Sequence, residues 1–432
     1  MPPGPELLDL VVRGGRLVTP EGIHGAELGI LHGRIVRVAP AIADPARLTL
    51  EAHGRHVFTG IIDARVHFDE SGQAEGEGLA HGSLALAAGG GTCFLDLPLD
   101  SEPPVLDAAG LRAKRARAEQ QSCTDFALWG GLVPGNLDRL AGLRDAGAIG
   151  LMAFLGGGGP GGVPPADAAT LHAGMKRAAK LGMLMAVHAG DAARPVGAEL
   201  AAIRLALELA GETGCALHLV QVGSPEGVAL VTEARANRVD VTAETCPHYL
   251  LLNDRDAARL GATAQCAPPL RGEKSRVALW TELRAGRIQT VASAHTPAPP
   301  DAGDGITARG GLAGVQHGFS LLLDACAATA DRDLPLLAAV LARNVARRFR
   351  LDGRKGLLAA GHDADFSLVE FGPRRTIEAD ELWTRHRTSP YVGRASGVRV
   401  THTYVRGRPV WADGGVASGA PKGQFVRPIH QP

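Results

Sequence analysis

The chain has 432 residues, and its 45 Lys and Arg residues balance 45 Asp and Glu residues, so the formal net charge is zero. This balance, without any dense basic run, excludes a nucleic-acid-binding surface as the expected function. No apolar run reaches the roughly 18–20 residues of a membrane span, and the first residues lack the pattern of a secretory leader. We therefore expect a protein without membrane association, located in the cytoplasm.

The cysteines support a reducing compartment. They are scattered along the chain and form no Cys-x-x-Cys pair, which is typical of free thiols rather than of a disulfide framework. The six positions are Cys93, Cys123, Cys215, Cys246, Cys266 and Cys326.

The first and last parts of the chain predict β-structure. Short apolar stretches separated by glycine-containing turns indicate strands of a small antiparallel sheet near the N-terminus, at residues 8–12, 16–18, 26–30 and 34–38. A similar pattern returns at residues 365–369 and 398–410.

The central part alternates between apolar strands and amphipathic helices. The predicted strands are residues 93–97, 126–130, 150–154, 184–188, 217–222, 239–245 and 290–293. The predicted helices are residues 78–88, 106–120, 136–146, 167–181, 199–213, 226–237, 274–285 and 334–349. Repeated βα units over this length predict an α/β fold of the (β/α)₈ barrel type, with the functional site at the carboxyl ends of the strands.

Five short motifs carry a family resemblance. They are Ser-Pro-Glu-Gly-Val at 224–228, Glu-Thr-Cys-Pro-His-Tyr at 244–249, Gly-Gly-Leu-Ala-Gly-Val-Gln at 310–316, Ser-Pro-Tyr-Val-Gly-Arg at 389–394 and Ala-Pro-Lys-Gly-Gln-Phe at 420–425. In this order they resemble the amidohydrolase superfamily, and within it the allantoinase, hydantoinase and dihydroorotase group. The resemblance covers nearly the whole chain.

The resemblance implies a barrel over residues 59–350 and a composite β-sandwich from residues 1–58 and 351–432. It also implies hydrolysis of a ring amide by two divalent metals such as zinc, since coordination lowers the pKa of a bound water to about 7. The family's ligands are a His-x-His pair, a carboxylated lysine, two further histidines and an aspartate that also acts as general base.

Four of these six ligand positions carry side chains that do not suit the family's chemistry. The resemblance places the ligands at Arg65, His67, Met152, His188, Gln221 and Ala294. Only His67 and His188 keep the expected histidine. A fixed positive charge at Arg65 repels a divalent cation, and Ala294 leaves no general base. We therefore expect no catalytic residue and no cofactor.

Because only two of the six expected metal ligands are retained, the expected function is that of a non-catalytic subunit with an assembly or regulatory role. One alternative is an active cyclic-amide hydrolase with a rebuilt site, in which His67 and His188, joined by His295, hold a single weakly bound zinc. Another is a small-molecule-binding protein. The candidate substrate or pocket residues are His295, Gly311 and Arg65.

Two further alternatives concern Arg65 and assembly. Arg65 either binds an anion where the family holds metals or pairs with Asp63, Asp69 or Glu70. For assembly, we expect a homo-oligomer, either a dimer or a tetramer, or a hetero-oligomer with an active enzyme.

Overall fold

The computed structural model describes residues 7–68, 76–99, 103–156, 164–190, 196–297 and 312–429. The N-terminal segment forms seven short strands before the first barrel strand. They are β1 (Leu8–Arg13), β2 (Arg16–Thr19), β3 (Gly22–Gly25), β4 (Glu27–Leu31), β5 (Arg34–Ala39), β6 (Ala46–Glu51) and β7 (His56–Thr59).

Barrel strands and helices then alternate along the chain. The first half contains β8 (Ile61–Val66), α1 (Leu79–Ala88), β9 (Gly91–Asp96), α2 (Ala108–Gln121), β10 (Asp125–Leu128), β11 (Gly130–Gly131), α3 (Leu140–Ala146), β12 (Leu151–Phe154) and α4 (Ala168–Leu181). The second half contains β13 (Met185–His188), α5 (Val196–Thr213), β14 (Leu217–Val220), α6 (Pro225–Ala236), β15 (Val241–Thr245), α7 (Pro247–Leu251), α8 (Asp254–Leu260), α9 (Glu273–Arg284) and β16 (Thr290–Val291).

The last part of the chain returns to the N-terminal sheets. It contains α10 (Gly318–Ala325), α11 (Ala330–Ala338), a π-helical turn at Ala339–Arg343, α12 (Asn344–Arg348), β17 (Phe366–Thr376), β18 (Ala395–Val405), β19 (Arg408–Ala412) and β20 (Gly415–Val416).

The strands close into a parallel barrel. One sheet runs β10-β9-β8 and the other runs β11-β12-β13-β14-β15-β16, with β10 and β11 adjacent in the chain. A parallel bridge between Val66 and His295 joins the last strand to the first, and the His67 N–H donates to the His295 carbonyl at 2.9 Å. The predicted (β/α)₈ barrel is confirmed.

The barrel interior is packed with side chains. Phe349 lies in it, with its ring centroid 5.3 Å from that of Trp129 and 5.1 Å from that of His218. Because side chains fill the interior, a functional site is expected in the loops at the carboxyl ends of the strands, as in other barrels of this type.

Both chain ends build the β-sandwich, which confirms that part of the predicted fold. One sheet has the order β5-β4-β1-β6, and the other has the order β20-β19-β18-β17-β7-β2-β3. In the second sheet the C-terminal β17 pairs with the N-terminal β7, so neither end completes it alone. The division into domains at residues 58 and 350 stays a prediction.

The sequence analysis did not predict the short helices α7 and α8 or the buried helix α10. Helix α10, Gly-Phe-Ser-Leu-Leu-Leu-Asp-Ala, is buried along most of its length between the barrel and β18. A helix that is apolar on nearly every side lacks the 3.6-residue alternation from which helices are recognised in sequence.

Candidate active site at the barrel mouth

The residues expected from the sequence lie at the carboxyl ends of the barrel strands. Arg65 belongs to the end of β8, and His67 follows that strand. Met152 and His188 belong to β12 and β13, and Gln221 directly follows β14. All five are buried. The parallel register of the barrel therefore brings them to one end, here called the barrel mouth.

Arg65 is buried and forms no ion pair with any residue that the structure describes. Only 1% of the residue is exposed, and neither Nε nor Nη1 has a hydrogen-bond partner. Burial lowers the pKa of Arg65. Electrostatic interactions with Cys246, Glu244 and Tyr249 oppose that shift. Guanidinium groups keep their proton in proteins, so a cation lies at this point of the barrel.

Asp63 contacts Arg65 through the backbone rather than through an ion pair. Its Oδ1 accepts from the Arg65 N–H at 3.3 Å and from the Ser293 N–H at 3.0 Å. Burial raises the pKa of Asp63 to about 7. Of the alternative partners, Asp69 and Glu70 lie outside the described residues.

Met152 has apolar surroundings, whereas His188 makes a polar contact. The Met152 side chain is fully buried in the apolar barrel interior. His188 Nε2 lies 2.9 Å from the Ala267 carbonyl, and its ring centroid is 5.4 Å from that of Phe154. Because a carbonyl oxygen can only accept, a ring nitrogen at that distance donates its hydrogen, so His188 Nε2 carries a proton.

Gln221 and Ala294 share an uncommon backbone conformation. Their φ angles are 52° and 51°, in the left-handed region that non-glycine residues rarely adopt. Both residues are buried, and neither the Oε1 nor the Nε2 atom of Gln221 has a hydrogen-bond partner. Backbone strain of this type persists only where the surroundings impose it, and it clusters at functional sites.

His295 lies beside a buried glutamate. Its Nδ1 accepts from the Val315 N–H at 3.4 Å, and its Nε2 is 4.0 Å from Glu77 Oε2. Burial lowers the pKa of His295 to about 3, so the ring is neutral at pH 7. Gly311, the other expected pocket residue, lies outside the described residues.

Two residues of the mouth were not among the expected site residues. Glu77 precedes α1, and its carboxylate accepts from the Arg385 N–H at 3.2 and 3.3 Å. His248 is buried with no partner for Nε2, and its pKa is lowered to about 3 by burial and by Arg65. The Glu-Thr-Cys-Pro-His-Tyr motif was the available signal for His248; for Glu77 the sequence offered none.

The described donors of the mouth do not form the family's binuclear metal centre. Among the residues that the structure describes, the group of three donors lying within 4.8 Å of one another is Asp125, Asp363 and Asp365. That group already surrounds a cation, since Lys355 Nζ lies 2.5, 3.0 and 2.7 Å from the three carboxylates. His67 and His188 alone cannot complete a zinc site, which needs about four donors.

The fold and this strand-end site define the class of protein. The model of the amidohydrolase family matches residues 56–410, and the chain belongs to this family. Its relatives include the allantoinase of Deinococcus radiodurans, 44% identical over 98% of this chain and 99% of the relative. The allantoinase of Rubrobacter xylanophilus is also 44% identical, over 97% and 98%.

Solved structures agree with this assignment. The L-hydantoinase (dihydropyrimidinase) from Arthrobacter aurescens matches with a TM-score of 0.93 and 29% identity, over 98% of this chain and all of the other. A D-hydantoinase matches with a TM-score of 0.89 and 26% identity, over 98% and 99%.

These comparisons correct two expectations. The interpretation as a non-catalytic subunit is wrong, because relatives with 44% identity over nearly their whole length are allantoinases. The expectation of no cofactor is wrong as well, because the chain belongs to a family for which the resemblance implies divalent metals. Both expectations came from counting metal-ligating side chains at six sequence positions. Such a count does not include side chains that other segments bring to the site when the chain folds. The assignment of those six positions stays a prediction.

Proposed function

We propose that this protein hydrolyses a cyclic amide of the allantoin and hydantoin class at its barrel mouth. In this reaction water adds across a ring C–N bond. The carbonyl carbon gains the hydroxyl and becomes a carboxylic acid, the ring nitrogen gains the hydrogen, and the acid then loses its proton near neutral pH. The allantoinase and hydantoinase relatives support this class of substrate.

The observation that carries the proposal is a set of buried polar atoms that have no hydrogen-bond partner among the residues described by the structure. They are Arg65 Nε and Nη1, Gln221 Oε1 and Nε2, and His248 Nε2. Buried polar atoms are nearly always hydrogen-bonded. Several such atoms without partners at a barrel mouth therefore indicate a site for a polar ligand. A cyclic ureide suits them, because its ring alternates carbonyl acceptors with N–H donors.

A turnover assay tests the proposal directly. Allantoin, hydantoin, dihydrouracil and dihydroorotate are each incubated with the protein as isolated, after chelation, and with added zinc or manganese. We expect release of the ring-opened acid from at least one compound, at an ordinary enzymatic rate on the order of 1–1,000 per second. Absence of turnover for every compound under every metal condition would sink the proposal.

A pair of variants connects the activity to the barrel mouth. Gln221→Leu removes both polar atoms at similar size, so kcat/KM should fall by roughly tenfold or more because a substrate hydrogen bond is lost. Gln120→Leu, on the exposed face of α2, is the matched control and should leave kcat/KM within about twofold. Equal activity of the two variants would place the reaction elsewhere.

Location and assembly extend the proposal. We propose that the protein works in the cytoplasm as a homo-oligomer. All six cysteines are free thiols, which supports a reducing compartment. The N-terminal sheet carries exposed apolar side chains on β5 and β6, including Leu48 at 67% exposure, which supports an assembly surface. In the described residues no helix is long and apolar enough to span a membrane.

A further inference from the structure

Arg65 differs from other buried cations of this chain. Lys114 Nζ lies 2.6 Å from Asp96, and Lys355 contacts three aspartates. Arg65 is buried to the same degree, yet no carboxylate of the described residues forms an ion pair with it. Within the described part of the chain, the positive charge of Arg65 therefore has no direct counter-ion.

Glu244 and Asp63 act on Arg65 electrostatically, and Glu244 Oε1 has no hydrogen-bond partner among the described residues. One oxygen of Glu244, Oε2, lies 3.2 Å from His218 Nε2, inside the barrel wall. Asp63 Oδ1 accepts the two backbone N–H groups of Arg65 and Ser293. Both carboxyl groups interact with Arg65 electrostatically, but neither hydrogen-bonds to its Nε or Nη1.

Burial of an uncompensated charge is unfavourable, because desolvation is not offset by a close counter-charge. Guanidinium groups are suited to hold planar anions, because their N–H donors match the geometry of a carboxylate. Two neutral polar side chains of the barrel mouth also lack hydrogen-bond partners among the described residues. His248 has an unpartnered Nε2, and Gln221, which follows the strand beside Glu244, has an unpartnered amide.

We propose that Arg65 anchors the carboxylate of a ring-opened ureido acid at the barrel mouth. The identity of this ligand rests on the proposed function, because opening a cyclic ureide converts a neutral ring amide into a carboxylate. A neutral substrate such as hydantoin has no charge to pair with Arg65, whereas its ring-opened acid carries a carboxylate. The mouth therefore binds the product acid more tightly than a neutral compound of the same shape.

A matched pair of probes tests this preference without catalysis. N-carbamoylglycine is the acid formed by opening hydantoin, and N-carbamoylglycinamide is its neutral amide. Calorimetric titration of the native protein should give an affinity for the acid at least roughly tenfold higher than for the amide, as expected for charge-assisted hydrogen bonds. Equal affinities, or binding of neither probe, would overturn the proposal.

Variants then assign the preference to Arg65. Arg65→Gln keeps hydrogen-bonding capacity and removes the charge, so its affinity for the acid should fall to that for the amide. Arg65→Lys should retain part of the preference. Arg177→Gln, on the exposed face of α4, is the control and should behave as the native protein. An Arg65→Gln protein that still prefers the acid would also overturn the proposal.

The two proposals fail separately. Loss of the acid preference with intact turnover of a cyclic amide removes the Arg65 anchor and leaves the enzymatic activity. A clear, Arg65-dependent acid preference without turnover of any cyclic amide removes the activity and leaves the anion site.

Discussion

Lys355 Nζ donates a hydrogen bond to Asp125 Oδ2 at 2.5 Å, linking the segment before β17 to the third barrel strand. Asp363 and Asp365 also contact the ammonium, and Arg354 and Arg406 pair with Asp363 and Asp125. Three cations thus balance three buried carboxylates. The cluster holds the C-terminal sheet against the barrel, with the Lys355 ammonium in contact with all three carboxylates.

Replacing Lys355 with methionine should destabilise the protein strongly. The change keeps the length of the side chain but leaves buried carboxylates with too few cations, and breaking a buried ion pair in this way costs about 3–5 kcal/mol. Urea unfolding followed by circular dichroism measures the loss. Lys176→Met, on the exposed face of α4, is the control. A Lys355→Met protein as stable as this control would show that the network contributes little.

A second prediction concerns acid stability. His317, the residue before α10, has its pKa lowered to about 4 by burial and by Arg375. Between pH 6.5 and 4 the unfolded chain binds a proton at this residue that the folded protein excludes. Its contribution to the free energy of unfolding therefore falls as the pH falls, by up to about 1.4 kcal/mol per pH unit.

The variant His317→Asn isolates this effect, since asparagine suits the start of a helix. From pH 7 to pH 5 the native protein should lose about 2 kcal/mol more than the variant, by denaturant unfolding at both values. His24→Asn, at an exposed histidine, should match the native protein. Parallel stability curves for the native protein and His317→Asn would contradict the prediction.

A third prediction concerns the six expected ligand positions. The fourfold variant Arg65→His, Met152→Lys, Gln221→His and Ala294→Asp supplies the family's donors. Histidine and aspartate are also among the residues that tolerate the left-handed φ of Gln221 and Ala294. The variant should therefore carry more divalent metal per chain than the native protein, by elemental analysis after growth with zinc.

Arg65→His alone is the control for this gain, and it should leave the metal content of the native protein unchanged. Allantoin turnover by the fourfold variant should not rise in proportion to metal. Catalysis also needs the substrate held within a fraction of an ångström of the attacking oxygen. A fourfold variant with no more metal than the single variant would show that these positions do not form the expected site.

The sequence by itself determined the architecture of this protein. Alternating strands and helices predicted the barrel, and five motifs in order predicted the family, because both signals are contained in neighbouring residues. The placement of His67, His188 and Gln221 at one end followed from the register of parallel strands.

Only the tertiary structure decided which charges are balanced. The sequence suggested Asp63 as a side-chain partner for Arg65, yet the contact uses the backbone N–H. Nor does any local pattern connect Lys355 with Asp125, which are 230 residues apart. The state of a buried charge depends on groups brought within a few ångströms by the fold, and such distances are not encoded in the spacing of residues along the chain.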